Sequence, residues 1–321
     1  MLMVRKYILG ILAISLAVNV ILGFLFLSRD NSPTSPASSQ AKNDYPYISP
    51  RVFVEETNDI IINFNPLRQA LRSYVQNSGE EIQIYFEYLP SGSSIGVNDQ
   101  EPFLAASLFK IPVAMAVMRS ISEGKIDENK ILTIEEKHID KRFGNLWKKG
   151  AGAKLSVTEA LEASLIESDN TATNLLKDAV PLESIADVLN TLDFPRLSKT
   201  DEESEVTVKN YSTILKSLYL SSYLRFEDSN QILDILTKTD FKDRLESGLP
   251  QGIAFAHKIG EYEGKTPDST VYSDCGIVYL PKKPYLLCVA VEGETKEFMH
   301  NVMKSVSQTI FGYVNDVERK N

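Results

Sequence analysis

The chain is poor in the residues that build metal and disulfide sites, with two cysteines and three histidines among 321 residues. His138, His257 and His300 share no spacing typical of zinc ligands, so no metal and no cofactor are expected. Cys275 and Cys288 make neither a disulfide framework nor a ligand cluster. Basic residues are short too: 34 lysines and arginines against 43 acids leave a formal charge of -9. Phosphate backbones need a basic face, which argues against nucleic acid as a partner. A small molecule or a cell-wall polymer is the expected ligand. No internal repeat is evident.

Long apolar runs are absent with one exception. Arg5 and Lys6 precede a stretch from Tyr7 to Leu27 in which Asn19 is the only strongly polar residue. About 20 such residues suffice to span a bilayer. The run ends in Phe-Leu-Ser-Arg without a small-residue cleavage pattern, so an uncleaved single-pass anchor in the cell membrane is expected over residues 7–27. Basic residues before it, against a cancelling Arg29-Asp30 pair after it, place residues 1–6 in the cytoplasm and the rest outside. Residues 28–50, rich in Ser, Pro and Asn, have little to bury and read as a flexible extracytoplasmic linker. A folded domain is expected over residues 51–321.

Within that domain, Ile82 to Leu89 is β-branched and aromatic, breaks at Pro90-Ser-Gly92 and resumes from Ser94 to Val97. Leu104 to about Glu123 has helical spacing, with Pro112 near its start and Gly124 as its stop. Ser156-Val-Thr-Glu159 is a capping-box pattern for a helix from Val157 to about Glu167. Further helices are predicted over Thr207 to Tyr219, over Gln231 to Thr237 and from Thr295 onward. Strands are predicted over Ile253 to Gly260, Val271 to Leu280 and Tyr285 to Val291. The last two make a hairpin around Pro281 to Pro284. Cys275 and Cys288 then stand as two buried thiols, the plainer expectation, or within reach of each other. Strands at both ends with helices between them imply an α+β fold, a helical lobe beside one mainly antiparallel sheet, with the cleft between as the natural site.

Three short elements carry chemistry. Ser107-Leu-Phe-Lys110 sets a hydroxyl and an amine on one face of a helix start. A lysine whose charged form is disfavoured by burial or by another cation can act as base and activate that hydroxyl. The helix N-terminus adds a positive dipole end and a backbone donor for an oxyanion. Taken alone the spacing is weak, because Ser39-Gln-Ala-Lys42 in the linker fits it as well. Ser168-Asp-Asn170 occurs once and by itself reads as a turn between helices. His257-Lys258-Ile259-Gly260 ends an apolar strand and by itself reads as a surface lysine; Lys148-Lys149-Gly150 shows how common that pattern is.

In this order, Ser-x-x-Lys, Ser-Asp-Asn and Lys-x-Gly resemble the class A β-lactamase and penicillin-binding-protein family of serine hydrolases. The flanks Ala105 to Val113, Leu155-Ser-Val157 and Asp274 to Tyr279 agree, and the resemblance covers roughly residues 60 to 318. It implies that Ser107 attacks a carbonyl, Lys110 takes its proton and Ser168 relays a proton to the leaving nitrogen. Asn170 would bind the substrate's side-chain amide. Lys258, with Gly260 completing its motif, would attract a carboxylate, and the amides of Ser107 and Glu261 would form the oxyanion hole. The implied ligand is a β-lactam or a peptidoglycan stem peptide. A D-Ala-D-Ala carboxypeptidase, a peptidoglycan acyltransferase and a non-catalytic cell-wall or β-lactam binding module are the competing functions.

Two departures stand out. Ile259 replaces the threonine or serine whose hydroxyl would bond a substrate carboxylate; a lost charge-assisted bond weakens binding by about 1.5–3 kcal/mol. No Glu-x-x-Leu-Asn, the family's source of the deacylating base, follows Ser168-Asp-Asn170. In the stretch Asp193 to Glu205, the acids Glu202, Glu203 and Glu205 match no position of that pattern, and a solvated acidic loop is expected. Slow release of the acyl group is the corresponding expectation.

Overall fold

The computed structural model describes residues 45–49, 62–79, 81–192, 194, 203–266 and 268–316. The apolar segment expected to cross the membrane, most of the expected linker and Glu202 lie outside them. Among the described residues no helix is long and apolar enough to cross a membrane.

A helix that composition alone did not announce opens the domain. In α1 (Asn65–Ser78), Leu67, Leu71 and Val75 fall every fourth residue on one buried face, Pro66 sits in the first turn, and Gly79 closes the helix at φ 72°. β1 (Ile82–Tyr88) and β2 (Ser93–Val97) follow as the expected hairpin. The short β3 (Phe103–Leu104) then leads through a 3-10 turn, Ala106–Phe109, into α2 (Lys110–Ser122). The single helix expected from Leu104 is therefore three pieces, and Ser107 lies in the tight turn before the helix proper.

The helical lobe is built on α2, whose residues Lys110 to Met118 are all buried. Around it come a ribbon of β4 (Ile131–Thr133) and β5 (Lys154–Ser156), then α3 (Val157–Ile166), α4 (Asn170–Ala179) and α5 (Leu182–Thr191). The capping box of α3 forms as expected: Glu159 N–H donates to Ser156 Oγ at 3.2 Å and Ser156 N–H to Glu159 Oε2 at 2.6 Å. β6 (Glu205–Val206) pairs with β3, and α6 (Val208–Leu220) and α7 (Phe226–Leu236) complete the lobe. Helix α7 starts five residues before its expected start at Gln231, since Arg225 in extended backbone lets Phe226 to Asn230 join the helix.

β7 (Phe255–Glu263), β8 (Thr270–Val278) and β9 (Tyr285–Gly293) join the first hairpin in one antiparallel sheet of order β2-β1-β9-β8-β7. Apolar cores lie on both faces of it. One gathers the helical lobe; the other gathers α1 and α8 (Lys296–Asp316), whose Met299, Val302, Met303, Val306, Ile310 and Val314 face the sheet. Burial on both faces explains why β8 and β9 read as nearly continuous apolar runs.

Two expectations change. Cys275 and Cys288 are directly opposite in the β8–β9 ladder, with Cα atoms 4.0 Å apart, and form a disulfide rather than two free thiols. The linker expected to reach residue 50 loses its end to the domain. Ile48 is buried, Tyr47 N–H donates to Asn230 Oδ1 at 3.1 Å, and Ser49 N–H donates to the Tyr219 carbonyl at 2.8 Å.

Candidate active site

The turn that carries Ser107 is held by its neighbours. Ala105 N–H donates to the Ser204 carbonyl at 2.8 Å, Leu104 N–H to the Tyr262 hydroxyl at 3.0 Å, and Tyr211 donates to the Leu108 carbonyl at 2.9 Å. Ala106 takes φ 46°, a left-handed conformation that a residue with a Cβ adopts only under constraint. Ser107 is thereby presented half-buried at the cleft while its neighbours are buried.

Gly260 explains why β7 can lie against this turn. A methyl group there would stand 3.2 Å from the Ala105 carbonyl oxygen and would strike Ser273 Oγ. The motif therefore needs glycine for close approach of strand and turn, a role separate from substrate contact.

Lys110 is fully buried, and its Nζ lies 2.9 Å from Ser107 Oγ, 2.6 Å from the Ser168 carbonyl oxygen, 3.0 Å from Ser168 Oγ and 2.7 Å from Asn170 Oδ1. The carbonyl and the amide oxygen can only accept, so two N–H groups are committed to them. In the neutral amine the lone pair then turns toward the two hydroxyls. That is the arrangement a base for Ser107 requires.

Ser168-Asp169-Asn170 is a buried junction between α3 and α4, not the solvated turn that its composition alone suggests. Ser168 sits at φ 56°. The fully buried Asp169 carboxylate accepts Ala172 N–H at 2.8 Å, capping α4, and Leu146 N–H at 2.7 Å. Gly144 at φ 83° passes so close that a Cβ would strike that carboxylate. Asn170 N–H donates to the Phe143 carbonyl at 3.2 Å. Its side-chain amide oxygen faces Lys110. Burial works against the Asp140 carboxylate, but Arg142 and Asn170 more than offset it and hold its pKa below the usual range.

Lys258 lies in the middle of β7 and is fully buried; it was expected at a strand end. Its Nζ donates to Ser168 Oγ at 2.8 Å and stands 5.8 Å from the centre of the Phe241 ring. Burial, then the charges of Lys110 and Arg244, push its pKa well below that of an ordinary lysine, with Asp274 opposing. Ser168 Oγ thus lies between two lysine nitrogens, where it can pass a proton between the Lys110 side and a group bound near Lys258. Ile259 is buried and supplies no hydroxyl.

Several residues here carried no sequence signal. Arg244, on an irregular segment, is 3% exposed; it donates to the Gly260 carbonyl at 2.7 Å and the Ser273 carbonyl at 3.1 Å, pairs with Glu261 Oε2 at 2.9 Å and stacks over Tyr272. The Glu261 side chain is committed to this pair, which leaves its backbone as the part offered to a ligand. Phe143 and Phe241, from two separate loops, meet with ring centres 5.7 Å apart beside Asn170 and Lys258. Of the acids considered as deacylating base, Glu203 and Glu205 are exposed. Glu205 sits in the β3–β6 ladder and lines a cavity of about 300 Å³ with Leu104 and Tyr262. Among the described residues no group of His, Cys, Asp and Glu could hold a metal ion.

The sequence pattern of the Beta-lactamase enzyme family matches residues 66–314. The extended-spectrum beta-lactamase PER-1 of Pseudomonas aeruginosa is 26% identical over 238 residues, covering 68% of this chain and 77% of that protein. Beta-lactamase VEB-1 of the same organism is 24% identical, covering 68% and 81%. Among solved structures, PBP-A superposes with a TM-score of 0.71 at 22% identity, over 78% of this chain and 97% of that one. A PBP-A variant captured as an acyl-enzyme complex with penicillin-G gives a TM-score of 0.69 at 22% identity, with the same coverage. The chain belongs to the beta-lactamase enzyme family.

Proposed function

We propose that this protein opens the amide of β-lactams by forming an ester between their carbonyl and Ser107, and that it hydrolyses this ester slowly. The observation that carries the reading is the setting of Lys110, whose N–H groups are drawn to the Ser168 carbonyl and Asn170 Oδ1 while Ser107 Oγ stands 2.9 Å away. Lys110 takes the Ser107 proton as Oγ attacks. The proton returns through Ser168 Oγ to the lactam nitrogen as the C–N bond breaks. The amides of Ser107 and Glu261 receive the oxyanion. Lys258 attracts the carboxylate, and Asn170 meets the substrate's side-chain amide.

Slow release is supported by the absence of Glu-x-x-Leu-Asn after Ser168-Asp-Asn170. That same absence favours a second reading, in which the acyl donor is a peptidoglycan stem peptide and the protein is a D-Ala-D-Ala carboxypeptidase or acyltransferase. A non-catalytic binding module would not need the buried lysine pair around Ser168. The protein is further proposed to be held at the cell membrane by residues 7–27, with its catalytic domain outside. The basic residues before that apolar run and the Cys275–Cys288 disulfide, which suits an oxidising compartment, support this location.

Mass spectrometry of the full chain mixed with benzylpenicillin tests the reading. A long-lived adduct equal to the whole drug mass, absent in Ser107→Ala, is the expected result. Rapid drug loss with little adduct would refute slow deacylation. No adduct and no drug loss would refute the enzymatic reading altogether.

A further inference from the structure

One fully buried ionisable side chain next to the site belongs to none of the catalytic steps. His257 precedes Lys258 on β7, so its side chain leaves the opposite face of the strand. Its Nδ1 lies 2.7 Å from Oδ1 of the equally buried Asp274 on β8, and its Nε2 lies 3.3 Å from Glu246 Oε2, off the hydrogen-bond direction. The ring stacks on Phe255 with centres 4.2 Å apart. Its partner in the β7–β8 register is Gly276, where a Cβ would strike His257 Cβ; the ladder keeps room for this residue.

The contacts tie three elements together. Asp274 Oδ2 accepts Leu245 N–H at 3.1 Å, and Leu245 and Glu246 belong to the 3-10 turn Leu245–Gly248. Arg244, immediately before that turn, holds the Gly260 carbonyl and the Glu261 side chain. A neutral imidazole can donate to Asp274 through Nδ1, whereas the imidazolium also sets its positive charge 3.3 Å from the Glu246 carboxylate, an ion pair without a hydrogen bond. The other charges nearby are Lys242, 3.7 Å from Glu246, Arg244, and Lys258 on the far face of the strand.

We infer that His257, held between Asp274 and Glu246, is a positioning residue that clamps the 244–248 segment onto β7 and so places Lys258 and the Glu261 amide for acylation. The inference rests on the acyl-serine reading for its chemical consequence and on the charge cluster for its geometry. Burial works against the charged ring, and the carboxylates of Asp274 and Glu246 more than offset it, raising its pKa above the ordinary value. The charge-assisted part of the clamp is therefore present while both carboxylates are ionised and the ring is protonated, and is lost as pH rises through the raised value.

NMR titration of the full chain in detergent micelles tests it, with the three histidines distinguished by a His257→Asn variant. The His257 ring is expected to titrate above the usual imidazole range, and the Gly260 and Glu261 amide signals to follow with the same midpoint. Glu246→Gln should lower both midpoints by about one pH unit, because it removes one of the two charges holding the proton. The rate constant for benzylpenicillin acylation should show an alkaline limb that moves with them. A ring that titrates at or below the ordinary imidazole range, amides that ignore its titration, or a midpoint unmoved by Glu246→Gln would each overturn the clamp. Failure of the native protein to form any Ser107 adduct would sink the acyl-serine reading, and the amide signals would still decide the clamp. An adduct whose alkaline limb stays fixed in Glu246→Gln would sink this inference alone.

Discussion

Replacing Asp169 with alanine tests whether the middle residue of Ser168-Asp-Asn170 is structural. Its carboxylate caps α4 through Ala172 N–H at 2.8 Å and holds the 143–146 loop through Leu146 N–H at 2.7 Å. Losing the cap costs about 1 kcal/mol. The Leu146 N–H, left in a buried place without its acceptor, adds roughly 1–3 kcal/mol. Gly144 packs directly on the carboxylate, so the space left behind is not filled by a small shift. The sum is about 2–4 kcal/mol, which for a domain of this size lowers the melting temperature by roughly 5–15 °C. Asp169→Asn keeps one oxygen but sets an NH2 group against the other donor, and should lose about half as much. Calorimetry of the two variants measures this, and the acylation rate should fall with it, because Ser168 and Asn170 flank the change. An Asp169→Ala protein melting within about 2 °C of the parent would refute the reasoning.

Gly260→Ala should slow acylation more than it lowers stability, since its methyl group meets Ser273 Oγ and the Ala105 carbonyl beside the turn that carries Ser107; stopped-flow acylation and a thermal melt separate the two effects. Reducing the Cys275–Cys288 bond, which joins residues 13 apart, should destabilise the domain by about 3 kcal/mol, read as a lower melting temperature in reductant. The depressed pKa of Lys258 sets a pH dependence for substrates with a carboxylate. The ammonium form is lost as pH rises through a value below that of a free lysine, so their binding weakens on the alkaline side. A methyl ester of the same drug should lack this loss, and parallel profiles for acid and ester would contradict the assignment.

The sheet was legible because its strands combine β-branched and aromatic runs with clear stops, and the meeting of Ser107, Lys110, Ser168, Asn170 and Lys258 was legible because the three motifs come in order. What escaped lies where chain segments meet by tertiary packing. Arg244, which is buried, and the half-buried Phe143 and Phe241 sit on irregular segments, where no periodicity marks what they pack against. The disulfide was half-readable: the hairpin was expected, but only the register that places Cys275 opposite Cys288 decides between a bond and two thiols. The helix at Ser107 was drawn too long because Leu104 to Phe109 is as apolar as a helix start, while the chain uses those residues for a strand and a tight turn. In each case the residue types were compatible with both outcomes, and long-range contacts chose.

The same contacts explain where the backbone is strained. Among the described residues, Asn98, Ala106, Ser168, Ser221 and Lys282 are the non-glycines with positive φ. Ser221 caps α6 and Lys282 lies in the β8–β9 turn, where left-handed residues are ordinary. Ala106 and Ser168 differ: one precedes Ser107 and the other begins Ser168-Asp-Asn170, and each conformation costs roughly 1–2 kcal/mol. Such a cost persists only where the surroundings fix the backbone more firmly than local preference does. Here the fixing groups are identifiable: the Ser204 carbonyl and Tyr262 hydroxyl around Ala106, and Lys110 and Lys258 around Ser168. Strain at these two residues turns both hydroxyls toward one amine, an arrangement that a relaxed helix carrying Ser107 and an ordinary turn carrying Ser168 would not produce.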